Sequence, residues 1–107
     1  MKRGEVWWVD LDPSVGGEIQ KKRQAVIVSN DAANKHLNRL QVVPLTSKIG
    51  RIYPSEARIT LGGTPGKAMA DQLTTVSKLR LFDLEGTLSD REMRDIERAI
   101  KVQLALL

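Results

Sequence analysis

The sequence predicts a small α+β domain, mainly β, in which five to seven short strands curl into a barrel-like sheet closed by one C-terminal amphipathic helix. Short segments rich in β-branched and aromatic residues recur along most of the chain, separated by turn residues. The spacing of apolar residues becomes helical only from Ser89 onward. A length of 107 residues is enough for one domain with a real core, so we expect 1–107 to form a single domain.

The first predicted strand, residues 5–11, is apolar on both of its faces. Trp7, Val9 and Leu11 fall on one face, and Val6 and Trp8 fall on the other. A half-exposed strand would carry one polar face, so this pattern indicates cover on both sides, by the core and by a partner. Either the core or a dimer partner could cover Trp8.

The remaining β segments are separated by clear turn signals. Residues 24–29 are predicted to form a strand, and residues 30–38 a loop with one or two helical turns. Residues 41–47 form the next predicted strand, where Pro44 indicates an edge, a bulge or the end of pairing. Further strands are predicted at 57–61, at 67–76 after a turn at 62–66, and, as a short strand, at 82–85.

The C-terminal segment carries the signature of a capped helix. Ser89 is followed three residues later by Glu92, which is the spacing of a capping box. An apolar stripe then runs along the predicted helix at spacings of three and four, through Met93, Ile96, Ile100, Leu104 and Leu107.

Composition narrows the classes of protein. The net charge is +4, from 17 basic and 13 acidic residues, which is compatible with a nucleic-acid partner. The basic residues concentrate in Lys21-Lys22-Arg23 and around Lys48 and Arg51, although any one such run also fits a solvated face. There is no cysteine, no apolar run long enough to span a membrane and no signal-peptide pattern at the start. We expect a cytoplasmic protein without a membrane partner.

Several catalytic chemistries are excluded by what is missing. His36 is the single histidine, so a two-histidine ribonuclease mechanism is impossible. Asp10 and Asp12 fit the turn at Asp12-Pro13 better than a metal pair. No phosphate-binding glycine loop, serine elbow or zinc-binding histidine pair is present. We therefore expect no cofactor and no catalytic metal.

Two positions remain that could hold a phosphodiester. Arg23 lies where a loop enters a strand, and Thr46-Ser47 lies at the end of the strand that contains Pro44. A guanidinium offers paired planar donors that match a phosphate, and hydroxyl groups add short-range donors. Together they could stabilise the charge of a phosphorane-like transition state, although such spacing alone is common in small domains.

The chain resembles the MazF/PemK (Kid) toxins of bacterial toxin–antitoxin systems along nearly its whole length. Each matching segment is unspecific, whereas their order and spacing are highly specific. The segments are 3–7, 10–13, 16–18, 22–23, 25–30, 43–47, 53–54, 70–72 and 86–88.

The resemblance implies an SH3-like barrel of the MazF/CcdB type that forms a homodimer. It implies metal-independent, sequence-selective cleavage of single-stranded RNA (mRNA), in which the 2′-hydroxyl attacks to give a 2′,3′-cyclic phosphate and a 5′-hydroxyl. It also implies a growth-inhibiting toxin that is neutralised by a cognate MazE-like antitoxin.

The resemblance also assigns roles to residues. The family's catalytic arginine and threonine fall on Arg23 and Thr46. Possible catalytic support falls on Glu18, Ser47 and Asp71. Contacts to RNA are expected from Lys21, Lys22, Lys48 and Gln72. A guanidinium stays protonated, so we expect Arg23 to stabilise charge, and the general base is left open between Glu18 and Asp71.

The sequence departs from the family pattern at four positions. Gln24 replaces the usual proline after the catalytic arginine, which affects entry into the strand more than the chemistry. Gly17 and Met69 stand where one branch has a histidine and an arginine, so a mechanism using that pair cannot operate. Thr74 replaces a basic residue common in relatives, from which we expect an altered base preference.

Two other functions fit this fold. A CcdB-like toxin would bind a protein, DNA gyrase, without cutting RNA. A non-enzymatic barrel would bind nucleic acid and would not need Thr46. Finally, the glycines and charges of residues 15–22 predict a mobile loop.

Overall fold

The computed structural model describes residues 1–11 and 22–106 of the chain. The loop predicted to be mobile therefore lies outside the described residues except for its last position. The described residues form seven strands, two α-helices and two 3-10 turns. The strands are β1 (Glu5–Asp10), β2 (Lys22–Ile27), β3 (Arg39–Thr46), β4 (Glu56–Leu61), β5 (Thr64–Met69), β6 (Thr74–Ser77) and β7 (Leu81–Thr87). The helices are α1 (Asp31–His36) and α2 (Asp90–Gln103), and the 3-10 turns are Ala70–Gln72 and Lys78–Arg80.

The strands form one antiparallel sheet that curls into a half-barrel. Its strand order is β4-β5-β3-β2-β1-β7, and β6 pairs with the beginning of β3. The two ends of this path approach each other, because a Cβ atom at Gly86 of β7 would lie 3.3 Å from Cδ1 of Leu61 in β4. The mainly-β class with one C-terminal helix is therefore confirmed.

Two apolar clusters occupy the two faces of the sheet. Val6 belongs to the cluster that α2 completes with Met93 and Ile96. Val9 belongs to the second cluster, against which Trp7 and Leu11 pack. Both faces of β1 are covered, as predicted, by clusters of this chain, while the predicted cover by a partner stays a prediction. The chain itself supplies the apolar surroundings of both valines, so this pattern does not by itself require a partner.

Pro44 lies where β3 changes its neighbour. On one side, β3 pairs with β2, and Pro44 is opposite Ala25. On the other side, pairing with β6 stops at Val42 and pairing with β5 starts at Leu45. A proline has no N–H to donate to a ladder, so the interval between two partners is a favourable place for it. Of the three options that Pro44 left open, the end of pairing is correct.

The predicted strand at 67–76 is wrong, because this segment divides between β5 and β6. The predicted turn at 62–66 is also shorter than expected, since only Gly62 and Gly63 form it, with φ of 57° and 81°. Two adjacent positive φ angles are typical of a two-residue hairpin, and glycine adopts them without strain. Later, the N–H of Ala70 donates to the carbonyl of Ser55, and the 3-10 turn directs β6 towards β3.

The start of α2 is as predicted, and its end is not. Ser89 and Glu92 form the complete capping box. Met93 and Ile96 are buried and Ile100 is partly buried, but Leu104 is 50% exposed because the helix ends at Gln103. Leu107 lies outside the described residues. Within residues 1–11 and 22–106, no helix is long and apolar enough to cross a membrane.

Candidate active site

Arg23 and Thr46 lie on neighbouring strands, two residues beyond the last pair of the ladder between β2 and β3. The ladder pairs Ile27 with Val42, Val26 with Val43 and Ala25 with Pro44. Continued by two residues towards the strand ends, the same register aligns Arg23 with Thr46. Arg23 and Thr46 therefore lie towards the same end of two neighbouring strands.

The Arg23 side chain is available to an anion. Arg23 is partly buried and lies opposite Val9 of β1. It makes no hydrogen bond or ion pair with any other residue in the described part of the chain. A charged guanidinium with unused donors at a strand entrance fits a phosphate oxygen.

Thr46 ends β3 with its hydroxyl held by the local backbone. The backbone N–H of Lys48 donates to Oγ1 of Thr46 at 3.2 Å. The hydroxyl proton remains free to donate elsewhere. On its other side β3 pairs with β5, where Thr46 is opposite Lys67. Thr46 therefore lies beside a basic residue of a neighbouring strand.

A groove with a volume of about 310 Å³ opens at this end of the sheet. Thr46 and Ser47 line it, together with Gln24 and Glu85. The carboxylate of Glu85 accepts a hydrogen bond from the indole N–H of Trp8 at 2.7 Å. The remaining lining comes from the ends of β3, β4 and β5 and from their turn, namely Leu45, Ile59, Leu61, Gly62, Thr64, Pro65 and Gly66. Arg23 is not among the lining residues, although its neighbour Gln24 is.

The other predicted site residues are less closely associated with Thr46. Ser47 and Lys48 follow it and are exposed. Lys22 begins β2, is exposed, and its Nζ lies 5.4 Å from the centroid of the Phe82 ring. Glu18 and Lys21 lie outside the described residues.

Asp71 and Gln72 occupy the 3-10 turn between β5 and β6. That turn contacts β3, β4 and α2. Asp71 is exposed, and Nε2 of Gln72 lies 3.7 Å from the sulfur of Met69. No hydrogen bond or ion pair among the described residues links either side chain to Arg23 or Thr46. The described residues therefore do not decide whether Glu18 or Asp71 is the general base.

A buried ion pair beside Thr46 was not predicted. Lys67 and Glu56 are each 8% exposed, and Nζ of Lys67 lies 3.0 Å from Oε1 and Oε2 of Glu56. Burial raises the pKa of Glu56, but hydrogen bonds from the Tyr53 N–H and from Lys67, together with the charge of Lys67, lower it further, so the pKa lies below its ordinary value.

The pair could have been found from the hairpin. A two-residue turn at Gly62-Gly63 sets the register, which places Lys67 opposite Arg58. Glu56 lies two residues from Arg58 on the same strand face, and is therefore a diagonal neighbour of Lys67. The predicted turn of five residues concealed this relation.

Comparison with known proteins adds independent findings. Residues 2–104 match the family model described as PemK-like, MazF-like toxin of type II toxin–antitoxin system. The chain is 39% identical to endoribonuclease MazF9 of Mycobacterium tuberculosis, over 99% of this chain and 98% of that protein. It is 31% identical to endoribonuclease MazF of Staphylococcus saprophyticus, over 99% and 92% of the two chains.

Solved structures agree with these sequence relatives. An endoribonuclease from a mycobacterial species, solved in complex with its cognate antitoxin, superposes with a TM-score of 0.85 and 28% identity, covering 100% of this chain and 97% of that one. MazF of Deinococcus radiodurans gives the same TM-score at 21% identity, over 99% and 97% of the two chains, which is a likeness of fold.

Proposed function

Because this chain belongs to the PemK/MazF family of toxins from type II toxin–antitoxin systems, we propose that it is an endoribonuclease toxin that cleaves single-stranded RNA and is neutralised by an antitoxin. The single observation that supports the chemical part is that Arg23 and Thr46 lie towards the same end of neighbouring strands, each two residues beyond the last pair of the ladder between β2 and β3. Three curated relatives that carry the name endoribonuclease support the reaction class.

In the proposed mechanism, Arg23 and Thr46 hold the scissile phosphate. The 2′-oxygen of the RNA attacks phosphorus and forms a 2′,3′-cyclic phosphate, while the bond to the 5′-oxygen breaks. Arg23 neutralises the additional negative charge on the phosphate oxygens, and the Thr46 hydroxyl donates to one of them. The 2′-proton passes to the carboxylate of Glu18 or Asp71. Arg23 donates the proton that leaves with the 5′-oxygen and regains one from the protonated carboxyl group, so the guanidinium is charged again at the end of the reaction.

The basic residues around this pair are proposed to track the RNA backbone. Lys22 begins β2 and Lys48 follows β3, so both lie near the strand ends that carry the proposed catalytic pair. With Lys21, they would contact phosphates and set the register of the RNA without reading its sequence. Gln72 would contribute a polar contact to a base.

Partners follow from the relatives. The mycobacterial structure includes a cognate antitoxin, which supports an antitoxin partner for this chain. We propose an antitoxin with a flexible acidic tail that folds on binding, because acidic residues complement these basic strand ends. A homodimer and cytoplasmic action complete the proposal.

The deciding experiment is cleavage of a long single-stranded RNA in the presence of EDTA. Wild type is compared with Arg23→Ala, Thr46→Ala and the control Arg39→Ala, which removes an exposed arginine at the far end of β3. We expect discrete cuts by wild type and by the control, with cyclic-phosphate ends. Each site variant should lose about a hundredfold or more in rate.

The same assay separates the alternatives. Folded wild type that binds RNA without cutting it would indicate a non-enzymatic barrel. Folded wild type that neither binds nor cuts would contradict the proposal and direct attention to a protein target such as DNA gyrase. Cutting that stops in EDTA and returns with a divalent metal would refute metal independence.

A further inference from the structure

An exposed aromatic ring and an exposed arginine pack together in the segment between β3 and β4. Tyr53 is 52% exposed. The guanidinium carbon of Arg51 lies 5.3 Å from the centroid of the Tyr53 ring. Both residues lie outside the proposed catalytic set. Aromatic rings and guanidinium planes are the surfaces on which proteins stack unpaired nucleobases.

Several contacts hold the backbone of this segment in place. Nζ of Lys67 donates to the carbonyl of Arg51 at 3.2 Å, and Oε1 of Glu56 accepts the N–H of Tyr53 at 2.9 Å. Nη1 of Arg98 on α2 donates to the carbonyl of Pro54 at 3.0 Å. The backbone around Tyr53 is therefore fixed before any ligand arrives, which reduces the entropy lost on binding.

The same ion pair connects this segment to the proposed catalytic pair. Lys67 pairs across β3 and β5 with Thr46, and its Nζ lies 6.0 Å from the centroid of the Tyr53 ring. One buried side chain thus adjoins both the strand end that carries Thr46 and the Tyr53 ring.

From these contacts we propose that Tyr53 and Arg51 form a base-stacking subsite for one unpaired nucleotide that flanks the scissile phosphate. The base stacks on Tyr53, and Arg51 covers the base or bonds its phosphate. Glu56 and Lys67 are positioning residues that fix the platform. The inference rests on the proposed function and extends it, since it assigns a ligand, a nucleobase, to residues without a role in the reaction.

The test measures affinity for a short single-stranded RNA that contains the mapped cut site, with 2′-deoxyribose at the attacking nucleotide so that it is not cleaved. Its variants are Tyr53→Ala, Tyr53→Phe and Arg51→Ala, with Arg39→Ala as the matched control. Each is measured on the intact RNA and on RNAs in which one base at a time is removed to leave an abasic nucleotide. Thermal unfolding verifies that each variant is folded.

We expect Tyr53→Ala to weaken binding to intact RNA by about 5- to 150-fold, which is the range for one stacked base. Tyr53→Phe keeps the ring and should bind within about twofold of wild type. Arg51→Ala should weaken binding, whereas Arg39→Ala should not. At one abasic position, wild type and Tyr53→Ala should bind equally, because the stacking partner is absent from both complexes.

The outcomes distinguish the two proposals. If wild type cuts RNA and Tyr53→Ala binds like wild type, the subsite is refuted and the ribonuclease stands. A Tyr53→Ala loss that is equally large on every abasic RNA also refutes the subsite. If wild type binds RNA without cutting it, an unmodified RNA replaces the cut-site substrate and the same comparison decides the subsite. If wild type binds no single-stranded RNA, both proposals fail.

Discussion

A Cβ atom at Gly66 would lie 2.7 Å from the carbonyl oxygen of Thr46. Such a distance is well inside van der Waals contact, and the neighbour is backbone, which cannot rotate away. Gly66 is not one of the glycines with a positive φ. Glycine is required here because β5 approaches β3 closely. The end of β3 that carries Thr46 is therefore placed directly against a position that accepts no side chain.

The first prediction concerns this contact. Gly66→Ala should move the end of β3 and reduce RNA cleavage by about a hundredfold, since displacement by about 1 Å has such effects at active sites. The free energy of unfolding should fall by about 1–3 kcal/mol through overpacking. Gly63→Asn is the control, because that position has a positive φ of 81°, a region that asparagine can adopt, has open space around it and does not line the groove. Equal cleavage rates for Gly66→Ala and wild type would contradict the prediction.

The second prediction separates charge from geometry at Arg23. Arg23→Lys keeps the positive charge but loses the planar paired donors. We expect the cleavage rate to fall by about a hundredfold, while affinity for the 2′-deoxy substrate changes by less than about threefold. Single-turnover kinetics and fluorescence anisotropy give the two quantities. A lysine variant with the full wild-type rate would show that charge alone suffices.

The third prediction concerns the buried ion pair. Lys67→Met should lower the free energy of unfolding by on the order of 3 kcal/mol, because it leaves the Glu56 carboxylate buried without its counter-ion. The double variant Glu56→Leu with Lys67→Met should recover most of that stability. It should nevertheless bind RNA more weakly than wild type, since the contacts that hold Arg51 and Tyr53 are gone. Urea unfolding and RNA affinity separate these effects.

The fourth prediction is that the protein loses stability in acid and that Glu92 contributes to this loss. Burial raises the pKa of Glu92, but backbone hydrogen bonds from Ser89 at 2.9 Å and Thr60 at 2.6 Å lower it more, so the pKa lies below its ordinary value of 4.5. The unfolded chain therefore takes up a proton at higher pH than the folded chain. The stabilisation is complete above the ordinary pKa and is lost as the pH falls through the lowered one.

Urea unfolding between about pH 7 and about pH 3 measures this dependence. The free energy of unfolding of wild type should fall as the pH drops below the ordinary pKa of a carboxyl group. Between the highest and the lowest pH, Glu92→Gln should lose less of its free energy of unfolding than wild type does. Asp83→Asn, which changes an exposed carboxylate on β7, serves as the control and should follow wild type. Parallel curves for Glu92→Gln and wild type would count against the role given to Glu92.

Local signals in the sequence predicted the elements that local chemistry determines. The capping box at Ser89 and Glu92 and the two apolar faces of β1 depend on neighbours along the chain, and both were predicted correctly. Leu104 follows the helical spacing of the stripe, yet it is exposed, because the spacing continues beyond the last turn of α2. A period alone does not state where a helix ends.

Relations between distant strands were less accessible. The division of 67–76 depends on Ala70 bonding to Ser55, and the pair of Glu56 and Lys67 depends on a hairpin register. No pattern within a short stretch of sequence indicates either relation. Arg23 and Thr46 illustrate the same point, since their chemistry made them candidates for one phosphate site, and the resemblance alone gave them catalytic roles.

The change of neighbours at Pro44 has a consequence for local unfolding. Thr46 is bonded to the β4–β5 hairpin, whereas the beginning of β3 is bonded to β6. Opening that hairpin alone would release one edge of the strand end that carries Thr46 and leave the rest of the sheet paired. Amide hydrogen exchange at the hairpin would then be faster than in β1 and β2, and catalytic competence would be lost at a lower free energy than global unfolding. The protein would be inactivated before it is denatured.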